Sequence, residues 1–597
     1  MAFRRRDGIW LALMAVVVVW GGHLFNYVDA AADDIYDTVS ETADDRFQVE
    51  TAVLRYYVEE IDPVKLQLAQ IDGIIEELDT FSDYLNEREQ EDLRITLEGG
   101  FGGLGIEINT VDHYPTVIAP LEDTPAWEAG LLAGDQIVEI EGETTRDVNL
   151  NIIVGKLRGV PGTDVNIKVR RRGMSQTMPF TITRARIVVH SVKFSGFVWD
   201  EASPDPVVGE APDWLRSGEG VGYIRLANFH RGATEDVRDG LQRMTRRGVR
   251  GVVIDLRSNP GGLLEEARGV ADLFLHKGQL IVSSRGRDPR TEHQLFSRND
   301  PVLPTDVPVV VLVDQYSASA SEIVAGAIQD NDRGLIMGDN TYGKGSVQTV
   351  YNARFGSRYG LDFSADAELK LTTAYYYSPS GRCIHRPNWR EGRRGAVVSK
   401  SDADTATIYH TREGRAVRGG GGIAPDVAVE NRFERSTFGL IPPRVLFHDY
   451  AFRYTADHTD LRPESFVVTD EMIAEFQEFI SDTSRHFTPE LQGESELDRF
   501  EKAISDADYD DVVAEKLEEL RRALDAQEDD QFDLIEPFLR NRILTSVADK
   551  EWGRDAATRA GFYNDDGLRT ALSYINDETR YEAQLAESPP APEPRHR

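Results

Sequence analysis

The chain has 597 residues, 102 of them acidic and 67 basic, for a formal net charge of −35. That balance argues against a nucleic-acid partner, which needs clustered Lys and Arg to displace counterions, and a hydrophobic content of 40% excludes wholesale disorder. Cys383 is the only cysteine, which excludes an intrachain disulfide and a Cys-rich zinc cluster.

Arg4, Arg5 and Arg6 precede an apolar run at 9–20, and the next charge is Asp29. A basic flank followed by such a run reads as an export signal or a retained membrane anchor over residues 1–30. The span 8–28 is near the ~20 residues that cross a bilayer. The basic flank stays cytoplasmic. The expected location is therefore periplasmic, or anchored in the inner membrane and facing the periplasm.

Residues 33–98 carry helical spacing of polar and apolar positions. From 99 to 186 the texture is β-rich, with strands expected at 116–118, 136–140, 165–169 and 178–183 and short helices at 126–129 and 150–157. An α/β core is expected over 187–435. Its runs "GVVIDL" at 251–256 and "VPVVVLV" at 307–313 read as strands covered on both faces. Helices are expected at 265–274 and 320–329, and the Arg-, Gly- and Ser-rich stretch 389–422 reads as a surface insertion. Residues 436–597 are acidic and helical. Met472, Ile473, Phe476, Phe479 and Ile480 share one face, and Val513, Leu517, Leu520 and Leu524 share another. Residues 587–597, "ESPPAPEPRHR", read as a tail. The fold class is multidomain, α+β and α/β, with helical regions at both ends.

At 317–328 the sequence reads "SASASEIVAGAI", directly after an apolar strand. Ser319 and Glu322 match the S-x-x-E capping box, in which a hydroxyl and a carboxylate each satisfy an orphan backbone donor. A serine at a helix start also faces unpaired N–H groups that suit a developing oxyanion. A free serine needs a base. The 12 histidines are scattered and none lies in a recognisable motif. A lysine can serve if burial drives its pKa towards neutrality. Lys344, in "GDNTYGKGSVQ", stands out between two glycines. Residues 338–344 also match G-x-x-x-x-G-K, but a phosphate loop requires Ser or Thr next, and the chain has Gly345 followed by a strand-like run.

These stretches resemble, in order and spacing, the carboxy-terminal processing (tail-specific) proteases, over roughly residues 35–430. They are "SASASEIVAGAIQD", "TYGKGSVQ", "IDLRSNPGG", "PSGR" and "GGIAPDV". The resemblance implies a serine endopeptidase with a Ser-Lys dyad on a crotonase-like α/β core. Ser319 would be the nucleophile, Lys344 the base, Gln348 the amide that orients the lysine, and Asp330 a supporting acid. Ser317 and Ser321 would be structural. The oxyanion donors would be Ala320 N–H and that of Gly261 or Gly262. The β-rich module resembles a PDZ domain, on "LEDTPAWEAGLLAGDQIVEIEGE" and on Gly103, Leu104, Gly105 and Ile106. That loop would capture a substrate's free C-terminus, with the peptide added as a strand and the 150–157 helix as the other wall. A side chain at Gly105 would crowd the peptide. The partners expected are peptides or proteins with free C-termini, with an oligomer or an adaptor as further options. No metal, nucleotide or organic cofactor is implied. The rival reading is a PDZ-bearing adaptor with an inactive core, against which the joint presence of Ser319, Lys344 and Gln348 argues. For 436–597 three roles stay open: docking a partner, supporting an oligomer or bracing the core.

Overall fold

The computed structural model describes residues 43, 45–481, 497, 499 and 511–586, apart from scattered positions and the stretches 353–367, 387–406 and 430–441. The segment 1–30 and the tail 587–597 lie outside the described residues. Among those described, no helix is long and apolar enough to cross a membrane. The chain divides into a small N-terminal unit, up to residue 84, and a large unit that follows. The small unit is helical. Its helix Pro63–Glu76 opens with proline in its first turn, where the missing N–H costs nothing, and Asp62 accepts from Val64 N at 2.9 Å as its cap.

The β-rich module begins the large unit. Its sheet runs Ile106–Val111, Tyr114–Pro120, Gln136–Ile140, Asp164–Arg170 and Met178–Thr183 as successive antiparallel neighbours, leaving Ile106–Val111 at one edge. Asp164–Arg170 shows why the sheet forms. Val165, Ile167 and Val169 are buried and the residues between them exposed, the period-two pattern of a strand with one wet face. The helix Leu150–Leu157 closes the core with Ile153 and Leu157, beside Leu104, Val117 and Ile137. Gly100–Gly103 and Ala185–Val188 pair as a separate two-stranded ribbon where the chain enters and leaves the module.

After it in the chain comes a six-stranded sheet in the order Val192–Phe197, Val221–Leu226, Gly251–Asp255, Val309–Val313, Leu335–Gly338 and Val427–Ala428. Only the first pairing is antiparallel. Gly251–Asp255 and Val309–Val313 are buried at every position, so both faces of the sheet must be covered. One face receives the helices Ala233–Arg246, Leu264–Asp272 and Ala320–Asp330, through Val237, Leu241, Val270, Val324 and Ile328. The other is covered from the C-terminal region. Phe562, Leu568, Leu572 and Ile575 pack on Val253, Val310, Leu312 and Met337. The Tyr581 hydroxyl bonds both backbone groups of Val309, at 3.1 and 2.9 Å. Of the three roles left open for 436–597, bracing the core is therefore built into the sheet. Its remaining helices form their own core, in which Met472, Ile473, Phe476, Phe479 and Ile480 meet Phe447, Ile535, Leu539 and Ile543.

The reading of 389–422 as a surface insertion needs correction in its described part. The hairpin Ile408–His410 and Ala416–Arg418 leads Arg415 into the interior. There its guanidinium meets Asp332 at 2.7 Å and Asp426 at 2.6 Å and donates to Gln329 O. Composition marks Arg as a surface residue, but three acceptors from distant segments make its burial tolerable.

Candidate active site

The strand Val309–Val313 ends in a turn that holds the serine cluster. Ser317 is fully buried. Its hydroxyl donates to Leu256 O at 2.9 Å and accepts from Asp314 N at 2.9 Å. The Ser321 hydroxyl donates to Asn259 O at 2.9 Å. The two flanking serines are thus tied to backbone. Ser319, between them, is partly exposed and adopts φ 53° and ψ −108°, a region costly for a side-chain-bearing residue and one that turns it sharply into the helix Ala320–Asp330. Every residue of that helix is buried, so the turn has little freedom to relax.

Glu322 carries the carboxylate half of the capping box, and more. Its Oε2 accepts from Ser319 N at 2.8 Å and from Lys344 N at 2.9 Å. Its Oε1 accepts from Gly343 N at 2.7 Å and from the Thr341 hydroxyl at 2.6 Å. The amides of Ser319 and Lys344 bond one oxygen atom and so lie within about 6 Å of each other. The Glu322 side chain is fully buried. Burial pushes its carboxyl above the ordinary value, opposed by the four hydrogen bonds it accepts. The glycines around Lys344 have separate reasons. Gly343 has φ +89°, and a Cβ on Gly345 would fall 2.5 Å from His385 N. The strand Ser346–Tyr351 then presents Gln348, whose amide nitrogen donates to the hydroxyls of Ser346 at 2.9 Å and Thr372 at 3.3 Å.

The "NPGG" loop lies against the serine turn. Gly261 has φ +102°, and a Cβ there would meet Ala318 O at 2.8 Å and Ala320 N at 2.9 Å. Its N–H donates to the Asn259 side chain at 2.9 Å. Gly262 packs on the backbone of Phe229.

Asp330 stands apart. Eleven helical residues place it about 16 Å along the axis from Ser319. There it pairs with the fully buried Arg382 at 2.7 Å and accepts from Ser380 N at 3.0 Å. Its carboxylate ties the far end of the serine helix to the "PSGR" turn, so the support Asp330 gives reaches Ser319 through the helix and not by contact.

In the β-rich module, Leu104 is buried and its carbonyl accepts from Ala126 N at 2.9 Å, while Gly105 O accepts from Leu121 N at 2.8 Å. Both carbonyls point into the module, and Ile106 opens the edge strand. The expectation for Gly105 also changes. At φ +78° its Cβ would lie 2.3 Å from Thr124 Cβ, so a side chain there collides with its own module.

Two groups escaped the sequence reading. Asp255 and Arg257, of "IDLRSNPGG", form a network with Arg225, Tyr223 and Asp565, and Asp565 lies in a region with no recognised motif. Glu322 was legible only as a cap.

Three family models match the chain: "Peptidase family S41" over residues 220–390, "PDZ domain" over 116–171, and "Probable PDZ-protease, C-terminal helical domain" over 442–575. A carboxy-terminal-processing protease of Bartonella bacilliformis is 37% identical over 332 residues, covering 55% of this chain and 69% of that protein. A carboxyl-terminal-processing protease of Synechocystis is 33% identical, covering 51% and 65%. The carboxy-terminal processing protease CtpB of Bacillus subtilis is 30% identical, covering 60% and 68%. The chain belongs to the carboxy-terminal processing proteases, serine-type peptidases of family S41 that carry a PDZ domain.

Proposed function

We propose that this protein is an exported endopeptidase that reads the C-terminal tail of a substrate through its PDZ domain and cleaves nearby peptide bonds with a Ser319–Lys344 dyad. The observation that carries the reading is the single Glu322 carboxylate on which the Ser319 and Lys344 amides converge. Neutral Lys344 takes the Ser319 hydroxyl proton as Oγ adds to the scissile carbonyl. The negative oxygen is met by Ala320 N–H at the helix start and by Gly262 N–H, because the Gly261 donor is already spent on Asn259. Collapse expels the amine, which takes its proton from Lys344. Water, deprotonated by the same lysine, then releases the acyl group. Gln348 orients the lysine through its carbonyl oxygen, its nitrogen being held by two hydroxyls.

The tail enters beside Ile106–Val111, the edge strand of the PDZ sheet, and its carboxylate is received by the N–H groups of the loop 103–106. The basic flank and apolar run near the N-terminus support export, with the segment either removed or kept as an anchor. Mass spectrometry of products from purified enzyme and from Ser319→Ala tests the activity. Identical product patterns from the two would refute it. Fractionation of cells expressing the full chain tests export, and a cytoplasmic mature protein would refute that part.

A further inference from the structure

We infer that Asn259 is a positioning residue for the oxyanion-binding arm, an inference that rests on the serine mechanism above. Asn259 is fully buried and bonds in three directions. Its Nδ2 donates to Leu226 O at 2.8 Å, fixing it to the end of a neighbouring strand, and its Oδ1 accepts from Gly261 N at 2.9 Å. Its main-chain carbonyl accepts from Ala318 N at 3.0 Å and from the Ser321 hydroxyl at 2.9 Å. One residue therefore holds the chain on both sides of Ser319 while its side chain sets the course of the glycines opposite.

The consequence is a fixed distance between two arms that must act together. An oxyanion site works because its donors are held in place before charge develops, by bonds that the substrate does not supply. The Ala320 arm is held by the helix start. The glycine arm is held by Asn259 Oδ1 and by the backbone of Phe229, whose N–H donates to Gly261 O at 2.9 Å and whose carbonyl accepts from Leu263 N at 2.9 Å. With the Gly261 donor occupied and both neighbouring groups pinned, the Gly262 N–H is the donor of this loop that no described bond uses. Loss of the Asn259 side chain frees the Gly261 N–H, so the 260–261 peptide can turn and the Gly262 N–H beyond it is left held through the Phe229 pairing alone. The Phe229 pairing and the Asn259 main-chain bonds survive, so the serine turn itself stays in place.

A turn residue that only aids folding would weaken every ligand alike, whereas a positioning residue weakens only ligands that place an oxygen between the arms. The test uses a peptide aldehyde and the alcohol made by its reduction. Addition of Ser319 Oγ–H across the aldehyde C=O gives a hemiacetal whose oxygen occupies the hole, and the alcohol forms no such bond. In Asn259→Ala, kcat and aldehyde affinity should both fall by about 100-fold, while KM and alcohol affinity stay within twofold. Asn259→Ser keeps a short acceptor for the Gly261 N–H. It should recover part of the loss, and it carries the same comparison if the alanine variant does not fold. Unchanged aldehyde affinity, or equal loss for aldehyde and alcohol, overturns the inference alone. Ser319→Ala binding the aldehyde as tightly as wild type overturns the serine mechanism and this inference with it.

Discussion

Arg257 and Asp565, 308 positions apart, are joined by two parallel hydrogen bonds of 2.9 and 2.6 Å. Arg257 also donates to Asp255, at the end of a central strand, and stands two residues before Asn259. The C-terminal region is thus bonded to the loop that faces Ser319. Asp565→Ala should lower global stability by about 2 kcal/mol, the scale of lost charge-assisted bonds, and should depress turnover through the loop. Denaturant midpoints with parallel turnover measurements check this, and a variant unchanged in both would show the bridge to be incidental.

The same network fixes an acid limit. Burial pushes the Asp255 carboxyl up, but the guanidiniums of Arg257 and Arg225 outweigh it and hold the group well below the usual carboxylate range. A carboxyl depressed in the folded state contributes stability that is complete above its unfolded pKa of about 3.9 and is lost as pH falls further. Asp255→Asn should therefore be less stable at pH 7, by roughly 3 kcal/mol, since it strands a partly buried arginine pair. Its stability should also fall less steeply than that of wild type below about pH 4. Thermal melts from pH 3 to 7 would show it, and parallel curves for the two proteins would contradict it.

Among the three serines, Ser319→Ala should lose at least ~10³-fold in peptide hydrolysis while keeping fold and tail binding, because a covalent route disappears with its nucleophile. Ser317→Ala and Ser321→Ala each remove a bond to a buried carbonyl and should cost about 1 kcal/mol of stability with substantial activity retained. If Ser317→Ala proves the dead variant, the assignment within the cluster is wrong.

Lys344→Arg keeps the charge and much of the stem but cannot give up its proton at accessible pH. The backbone bond from residue 344 to Glu322 does not depend on the side chain, so the loop should hold. The variant should fold normally and be inactive from neutral pH to mild alkali. Near-normal turnover by this protein would end the dyad mechanism.

A peptide with a free C-terminus should be preferred over its amide by roughly ten- to a hundredfold in PDZ binding, the worth of one charge-assisted hydrogen bond. The comparison belongs on wild type and on a protein lacking residues 99–186, in which the preference should vanish. Equal cleavage of both peptides by wild type would show that the terminus is not what this enzyme reads.

What the sequence reveals here tracks how local each interaction is. The serine turn, the glycine-flanked lysine and the PDZ loop are each written within a dozen residues, and the buried strands announce themselves as unbroken apolar runs. Glu322 was visible only as a cap, because its bonds to Gly343 and Lys344 join segments about 20 residues apart. The partner of Asp330 was not legible, because Arg382 lies about 50 residues further along the chain. Arg415 read as surface because its compensating carboxylates, Asp332 and Asp426, lie outside the Arg- and Gly-rich stretch that contains it. Asp565 could not be assigned at all until the sheet gave it a face to cover.

The hydroxyl of Tyr581 closing on Val309 has a consequence for when this enzyme comes into being. A ribosome releases the serine strand long before it has made the helices that cover that strand's second face. Until Phe562 to Tyr581 have been made, the sheet behind Ser319 lacks the side chains that cover its second face, and the loop bearing Asn259 lacks its anchor at Asp565. A nascent chain that stops before them carries Ser319 and Lys344 without this covering layer. The serine sheet is therefore completed only by residues made long after Ser319 itself.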